Sequence, residues 1–432
     1  MILDSLKTRL SKTPRWFYSL IAMLAAFTTY ACMYAFRRAF TAAGFEDLEF
    51  FGLELKTALI IAQVLGYTLS KFAGIKIISE MLPNKRPLYI LGFILFAHLM
   101  LFFFWIVPTP FKPVFLFLNG LPLGMVWGLV FSYLEGRRNT ELLGAGLSVS
   151  FIVSSGFVKS AGSWLMISHG VSEFAMPFAT GLLFVVPLFF FVWLLNQTPD
   201  PDAEDIRLRV VRGPMSFSER VAFFKRFSLG IILLTLCYML LTAYRDLRDN
   251  YALEILSAIG FTNDASIFTR TEAPIALIVL IVMASLMFIK NNKSALIVNH
   301  FIIGFGLVLI GFSTYAFKAE IIDAYWWMVL VGLGSYLGYV PFNCILFDRF
   351  IATYRTYANA GFLIYIADSF GYLSSVGILL YKNLGHSTIS WFDFFISFST
   401  ITSVVGIAIT VVSLIYFINI TQVNPQIDPT KT

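Results

Sequence analysis

Eight charged residues of this sequence stand inside long apolar stretches, where a charge is costly unless it faces a cavity or an opposite charge. They are Arg37, Arg38, Lys71, Lys159, Arg245, Arg248, Glu272 and Asp368. An arginine in such a place suits an oxyanion, because its planar guanidinium donates two parallel hydrogen bonds to a carboxylate or phosphate group. A lysine adds a point charge, and a carboxylate can take up and release a proton. These residue types therefore indicate a binding site for a small anion in apolar surroundings.

The composition of the chain excludes most soluble classes of protein. Of its 432 residues, 58% are hydrophobic and 13% are charged, whereas soluble domains carry about 25% charged residues. A soluble enzyme, a nucleic-acid-binding domain and a disordered chain are excluded. The net charge of +6 does not indicate nucleic acid, because the positive residues fall between apolar runs. We expect no catalytic residues, metal or cofactor, since the four histidines and three cysteines are scattered and no phosphate-binding glycine loop occurs.

Twelve apolar stretches are long enough to cross a bilayer as helices, which takes about 20 residues each. They lie at about 16–44, 52–74, 88–107, 114–134, 142–168, 174–195, 228–250, 265–289, 295–317, 325–347, 357–381 and 391–419. The sequence thus predicts an all-α integral membrane protein with two six-helix bundles, at 1–195 and 228–420, joined by a cytoplasmic linker at 196–227 and followed by a cytoplasmic tail at 421–432. The linker ends in a predicted amphipathic helix at 217–227 that lies on the membrane surface.

The distribution of lysine and arginine predicts that both termini are cytoplasmic. With this orientation, twenty of the 31 Lys and Arg residues fall in inner segments, and three (Lys112, Lys318 and Lys382) fall in outer loops. Positive residues favour the cytoplasmic side of a membrane protein. We therefore expect a multi-pass protein of the plasma or inner membrane, and a monomer.

Glycines recur in the fourth and tenth stretches, which suggests two parallel repeats with pseudo-twofold symmetry. Gly120, Gly124 and Gly128 in the one stretch, and Gly334 and Gly338 in the other, recur every four residues. This spacing lets helix backbones approach closely in lipid.

Both of these stretches end with an acid beside arginine at the predicted cytoplasmic face. Glu135 precedes Arg137 and Arg138, and Asp348 precedes Arg349. We expect these acids to gate the inner face through ion pairs between helix ends. Such pairs are worth about 0–1 kcal/mol each, so they can break during a conformational cycle.

Twelve spans in two sets of six, a charged middle loop and cytoplasmic termini resemble the major facilitator superfamily over essentially the whole chain. Two motifs resemble more narrowly its organophosphate:phosphate antiporter branch. Tyr34-Ala-Phe-Arg37-Arg38-Ala-Phe40 is similar to the Tyr-x-x-Arg-Lys-x-Phe of that branch in helix 1, and Gly66-Tyr67-Thr-Leu-Ser70-Lys71-Phe72-Ala-Gly74 is similar to its helix 2 run. The loop after helix 2 departs from the superfamily, because it has Ser79-Glu80 and Lys85-Arg86 where Asp-Arg-x-Gly-Arg is usual. The chain therefore also fits an uncharacterised side family.

The resemblance implies a secondary active transporter that moves a small organic anion, a phosphate ester or a carboxylate, by alternating access. It also implies that helices 1 and 7 line a central cavity, so that Arg37 and Arg245 grip one anion from opposite sides. The expected substrate contacts are Arg37, Arg245, Lys71, Arg38, Arg248, Lys159, Tyr34 and Tyr244. The expected coupling or gating acids are Asp368, Glu272, Glu135 and Asp348, with a proton or a counter-anion as the coupling ion.

Each buried charge also has a purely structural interpretation. Arg37 can reach the outer interface, Arg245 can pair with Asp249 one turn away, and Lys159 and Asp368 can form interhelical ion pairs. If every charge is paired in this way, the chain is a transport-dead sensor or scaffold on the same fold, or a transporter of a neutral or cationic solute.

Overall fold

The computed structural model describes residues 2–79, 81–134, 140–199, 217–262, 264–354, 360–386 and 388–420. These residues form fifteen α-helices and one two-stranded hairpin, β1 (Glu49–Phe50) and β2 (Leu53–Glu54), which pair antiparallel. The helices are α1 (Ile2–Ser11), α2 (Arg15–Ala35), α3 (Leu55–Ser79), α4 (Arg86–Ile106), α5 (Lys112–Phe131), α6 (Thr140–His169), α7 (Met176–Asn196), α8 (Phe217–Asn250), α9 (Ala252–Ala258), α10 (Ile267–Ser285), α11 (Asn292–Lys318), α12 (Ala324–Cys344), α13 (Leu346–Tyr354), α14 (Ala360–Leu380) and α15 (Trp391–Asn419).

The prediction of an all-α membrane protein is confirmed. Within the described residues, nine helices are long and apolar enough to cross a membrane, and α12 with α13, bent by 49° at their junction, makes a tenth. Two further long helices, α3 and α14, carry the buried charges Lys71 and Asp368 near their middles. Both helices therefore bring a charged side chain into the interior of the protein.

The helices pack in two groups that meet along a central interface. In the first group, α5 packs on α3 and α4, and α2 packs on α6 and α7. In the second group, α8 packs on α14 and α15, and α12 packs on α11. Across the interface, α3 lies against α14, and α6 lies against α10 and α12. The interface therefore brings together charges that the sequence places far apart.

The glycines of α5 and α12 let neighbouring helices approach closely, as their spacing predicts. A Cβ on Gly120 would meet the Gln63 carbonyl oxygen, and one on Gly124 would meet that of Tyr67, so α5 lies directly on the backbone of α3. Gly334 of α12 lies in the same way on the backbone of α11 at Gly306. The first of these contacts matters for the site, because it fixes α3 against α5.

The first membrane helix ends earlier than the sequence predicts. The apolar stretch runs to residue 44, but α2 ends at Ala35 and the chain continues through a 3₁₀ turn at Ala39–Ala42. The expectation of a continuous helix over this stretch is wrong. The physical reason is that side chains of other helices, rather than helical N–H groups, bind the carbonyl oxygens of Phe36 and Arg37.

The predicted helix at 217–227 is present and leads directly into the seventh long span. It forms the first part of α8, and the backbone breaks at Phe227 (φ −115°, ψ 20°) before the helix continues to Asn250. The linker before it, from residue 200 to 216, and the tail from 421 lie outside the described residues.

Candidate functional site

A small polar cavity lies at the interface of the two helix groups. Its volume is about 20 Å³, roughly the room that one water molecule needs. Its walls come from α2, α3, α5, α6, α8, α12 and α14, together with the turn after α2, and its lining residues are Tyr30, Tyr34, Arg37, Tyr67, Lys71, Trp127, Phe151, Arg245, Tyr339, Asn343, Asp368 and Tyr372. The structure therefore brings together five of the residues that the sequence singles out, namely Tyr34, Arg37, Lys71, Arg245 and Asp368.

Arg37 is a buried cation that has no acidic partner among the described residues. Its side chain forms no ion pair with any residue that the structure describes, and its Nε has no hydrogen-bond acceptor. The guanidinium carbon lies 3.7 Å from the centroid of the Tyr67 ring, a cation–π contact that offsets part of the cost of burial. Only 3% of the residue is exposed. A buried charge without a counter-charge is costly, so this position favours an anion in the cavity.

Arg245 lines the same cavity from the second helix group. Its guanidinium carbon lies 3.9 Å from the centroid of the Tyr339 ring, so both arginines are stacked on a tyrosine. Its Nη2 donates to Asp246 Oδ1 at 2.7 Å. Arg245 is thus partly neutralised by its chain neighbour rather than by Asp249, the partner one turn away that its spacing suggests.

Lys71 and Asp368 form an ion pair that joins the two groups across the cavity. Lys71 Nζ lies 3.1 Å from Asp368 Oδ2. Tyr238 donates a hydrogen bond of 2.5 Å to the other carboxylate oxygen, Oδ1. The Tyr67 and Tyr372 rings pack edge to face beside the pair, with centroids 5.1 Å apart. A predicted substrate cation and a predicted coupling acid therefore contact each other in this state.

Arg38 and Lys159 lie away from the cavity, on acids of α8. Arg38 donates to Asn250 Oδ1 and lies 3.4 Å from both Asp246 Oδ1 and Asp249 Oδ2. Lys159 pairs with Asp249. Arg38 and Lys159 therefore bridge the two groups and do not line the cavity. For Arg38 the cause is geometric, because Arg37 and Arg38 are consecutive and leave the end of α2 in different directions.

Arg248, Glu272 and Tyr244 also lie outside the cavity lining. Arg248 Nη1 donates to Glu272 Oε1 at 2.6 Å, and its Nη2 donates to the Met328 carbonyl oxygen at 3.0 Å. The Tyr244 hydroxyl bonds to Ser399 at 2.9 Å. Because successive residues of a helix point about 100° apart, Arg245 faces the cavity while these neighbours on α8 face other helices. Arg248 and Tyr244 therefore do not line the cavity, and the coupling or gating role expected of Glu272 stays a prediction.

The two expected inner-face acids have different outcomes. Glu135 lies outside the described residues. Asp348 lies in α13, and its neighbour Arg349 donates to Asn292 Oδ1 at 2.8 Å. The gating of the inner face by Glu135 and Asp348 stays a prediction.

Polar contacts between the groups also close the site on the side that the sequence predicts to be external. Lys56 Nζ lies 2.6 Å from Glu254 Oε1, and the hydroxyls of Thr57 and Tyr251 are 2.6 Å apart. The hairpin takes part as well, because Trp391 Nε1 donates to Glu54 Oε2 at 3.0 Å. Together with the bridges of Arg38 and Lys159, these contacts hold the groups together outside the two cavity arginines.

Much of the cavity wall follows a pattern that was open to sequence analysis. Four pairs of polar or tyrosine residues stand four positions apart in otherwise apolar helices, which puts both members of each pair on one face. The pairs are Tyr30 with Tyr34, Tyr67 with Lys71, Tyr339 with Asn343, and Asp368 with Tyr372. Trp127 and Phe151 carry no such signal, because aromatic residues are frequent throughout the chain.

Comparison with known proteins places the chain in a family and a fold. Residues 39–419 match the model of a family of unknown function, DUF5690. The chain belongs to this family. Among curated proteins, the sequence finds no match.

Two solved structures have a similar fold. One is the crystal structure of a D-xylose-proton symporter, with a TM-score of 0.54, 12% identity, and coverage of 95% of this chain and 99% of that one. The other is a bacterial homologue of the human drug peptide transporters PepT1 and PepT2, with a TM-score of 0.62, 9% identity, and coverage of 94% and 99%. The DUF5690 chain is therefore an all-α membrane protein with a fold of the major facilitator type.

Proposed function

We propose that this protein is a secondary active transporter that binds a small organic anion, a phosphate ester or a carboxylate, between Arg37 and Arg245 and moves it by alternating access. One observation carries the proposal: Arg37 is buried in the cavity wall with no carboxylate against it among the described residues. Arg245 lines the same cavity from the other helix group. An anion between them gains charge-assisted hydrogen bonds in surroundings of low dielectric.

The charge balance of the buried cluster supports an anionic substrate. Among the described residues of the cluster, six cations face four carboxylates, which is an excess of two positive charges. The cluster consists of Arg37, Arg38, Lys71, Lys159, Arg245, Arg248, Asp246, Asp249, Glu272 and Asp368. A cationic substrate would add to this excess, whereas an anion reduces it.

The size of the cavity supports a mechanism in which the two helix groups move relative to each other. A volume of about 20 Å³ is too small for any organic anion, so the helix groups must separate before substrate enters. The contacts on the predicted external side, including Lys56 with Glu254, must break in one half of such a cycle. The fold shared with a proton symporter and a peptide transporter homologue is consistent with this motion.

The ion pair of Lys71 and Asp368 can couple the binding of the anion to the movement of a second ion. An anion that binds Lys71 competes with Asp368 for the same ammonium group, and the released carboxylate can then take up a proton. In this proposal Asp368 is the coupling acid, with a proton or a counter-anion as the second ion. The motifs of α2 and α3 that resemble organophosphate:phosphate antiporters support the counter-anion alternative.

The test is ligand-induced stabilisation of the purified protein. The panel contains inorganic phosphate, glycerophosphate, succinate, benzoate, glucose and a dipeptide. A ligand that binds only the folded state stabilises it by about 2.7 kcal/mol at a hundredfold excess over Kd. We expect one class of anion to raise the unfolding temperature of the wild type and to lose this effect in Arg37→Lys.

The matched control is Arg270→Lys, because Arg270 is an arginine of α10 whose side chain is 60% exposed. This variant should respond to the panel as the wild type does. A response to glucose or the dipeptide alone would replace the anion with a neutral substrate. No response to any compound, followed by no uptake into vesicles, would favour the scaffold or sensor alternative.

A further inference from the structure

Two buried amides hold the broken end of the first membrane helix. Gln63 Nε2 donates to the carbonyl oxygen of Arg37 at 2.9 Å and to Asn119 Oδ1 at 2.8 Å. Asn119 Nδ2 donates to the carbonyl oxygens of Phe36 and Ala97, both at 2.9 Å. Gln63 is 2% exposed and Asn119 is fully buried. One small network therefore ties α2 to α3, α4 and α5.

This network satisfies groups that the early end of α2 leaves open. The last carbonyl oxygens of a helix have no N–H partner within the helix, and a buried carbonyl without a donor is costly. Phe36 and Arg37 stand directly after Ala35, the last residue of α2. The amides of Gln63 and Asn119 replace the missing helical donors, and so they allow the chain to turn at Arg37.

One face of α3 contacts both the backbone and the guanidinium of Arg37. Gln63 binds its backbone, and Tyr67, one helical turn further along α3, lies against its guanidinium at 3.7 Å. Lys71, one more turn along, also lines the cavity. Gly120 lies directly on the Gln63 backbone, which leaves α3 no room to shift against α5. The position of the guanidinium is thus set from α3 rather than from α2.

We propose that Gln63 and Asn119 are positioning residues, which hold the end of α2 so that Arg37 points into the cavity with its donors open to the anion. The inference rests on the proposed function, because it assigns these amides to the anion site. Neither amide lines the cavity, so each acts through Arg37. The geometry of a binding group matters at this scale, since a misplacement of about 1 Å can cost about a hundredfold in rate.

The experiment measures the Kd of inorganic phosphate and of succinate by thermal stabilisation in wild type, Gln63→Met and Asn119→Leu. Both substitutions keep the approximate side-chain size and remove the hydrogen bonds. We expect the anion that binds wild type to bind each variant about tenfold more weakly, because the guanidinium loses its fixed place. Arg37→Lys sets the upper limit of this loss, because it removes the guanidinium while both amides stay in place.

Asn299→Leu is the matched control. Asn299 is a fully buried asparagine of α11 whose Nδ2 donates to Ala295, within its own helix, so its loss should leave anion affinity unchanged. A purely structural role for Gln63 would lower the unfolding temperature and leave Kd unchanged. That result overturns the inference. If Asn119→Leu does not fold, Gln63→Met decides the question.

The outcome separates this inference from the proposed function. If wild type binds neither phosphate nor succinate nor any other anion of the panel, the anion site itself fails. If wild type binds an anion and Arg37→Lys abolishes binding while Gln63→Met leaves Kd unchanged, only the positioning role fails.

Discussion

Lys71 and Asp368 form an ion pair of 3.1 Å across the interface of the two helix groups, in a chain whose Arg37 has no such partner among the described residues. The side chains of the pair are 7% and 6% exposed. Of the three cations in the cavity lining, Lys71 is neutralised from the opposite group, Arg245 is partly neutralised by Asp246, and Arg37 is open to a ligand. The contrast suggests different roles, since Arg37 is ready to bind while Lys71 must first leave its carboxylate.

Replacing one partner of the Lys71–Asp368 pair should destabilise the protein strongly. Asp368→Asn removes the carboxylate charge that faces the buried Lys71 ammonium group, and breaking a buried pair costs about 3–5 kcal/mol. The double variant Lys71→Met with Asp368→Leu should recover most of this loss, because it removes both buried charges. Thermal unfolding of Lys71→Met, of Asp368→Leu and of the double variant measures the coupling between the two residues. Additive losses would show that the pair is not a stabilising unit.

The two cavity arginines and Arg38 should differ in their effects on binding. Arg245→Lys should weaken anion binding about tenfold or more, because charge-assisted hydrogen bonds are worth about 1.5–3 kcal/mol. Arg38→Lys should change Kd little, since Arg38 binds Asn250 and lies near Asp249 outside the cavity. Kd values from ligand-induced stabilisation provide the comparison. Equal effects at Arg38 and Arg245 would contradict a site built on the cavity lining.

The sequence was sufficient for the long helices but not for the end of the first one. Length and apolar composition determine where a helix can cross a bilayer, and this information is local. The turn at Arg37 depends on Gln63, 26 residues away, and the carbonyl of Phe36 depends on Asn119, 83 residues away. No local pattern at residues 36–45 indicates these donors, so the sequence alone predicts a continuous helix there.

The contacts of each buried charge could not be predicted from the local sequence either. Arg37 and Arg38 are neighbours of the same type, and yet one faces the cavity and the other binds acids of α8 more than 200 residues away. The spacing of Arg245 allows an ion pair with Asp249, whereas in the structure Arg245 pairs with Asp246, and Asp249 pairs with Arg38 and Lys159. Which carboxylate meets which cation is decided by how the two helix groups meet.

The contacts on the predicted external side should limit access to the cavity from that side. In a variant without the three native cysteines, Tyr34→Cys places a thiol in the cavity wall. An impermeant thiol reagent added from outside should label it slowly, and Lys56→Gln should speed labelling because it removes the ion pair with Glu254. Tyr244→Cys is the control, since Tyr244 is buried outside the cavity and should stay unlabelled. Fast labelling of Tyr34→Cys before Lys56 is changed would disprove an external closure.

The orientation of the chain is open to a direct test. A reporter fused after Thr432 and another inserted at Asp202, both outside the described residues, should read cytoplasmic. A reporter near Lys318, at the end of α11, should read external. An external signal at Asp202 would contradict the division of the chain into two six-helix bundles.

Asp246 should lower the affinity of the site for an anion, although it stabilises the interface between the two helix groups. Its carboxylate accepts from Arg245 at 2.7 Å, from Arg38 at 3.4 Å and from the Ser375 hydroxyl at 2.8 Å. Asp246→Asn removes the charge that competes with an anion for Arg245, so the anion should bind more tightly even though the free protein is less stable.

The matched variant for this test is Asp249→Asn. Asp249 pairs with Arg38 and Lys159 and lies outside the cavity lining, so its loss should destabilise the protein without tightening binding. We therefore expect both variants to unfold at lower temperature in the absence of anion. Saturating phosphate or succinate, whichever binds wild type, should restore more stability to Asp246→Asn than to Asp249→Asn, because a tighter ligand stabilises the folded state more at the same concentration. If the anion restores the stability of both variants equally, Asp246 does not lower the anion affinity of Arg245. The proposal that Arg245 binds the anion together with Arg37 then has no support.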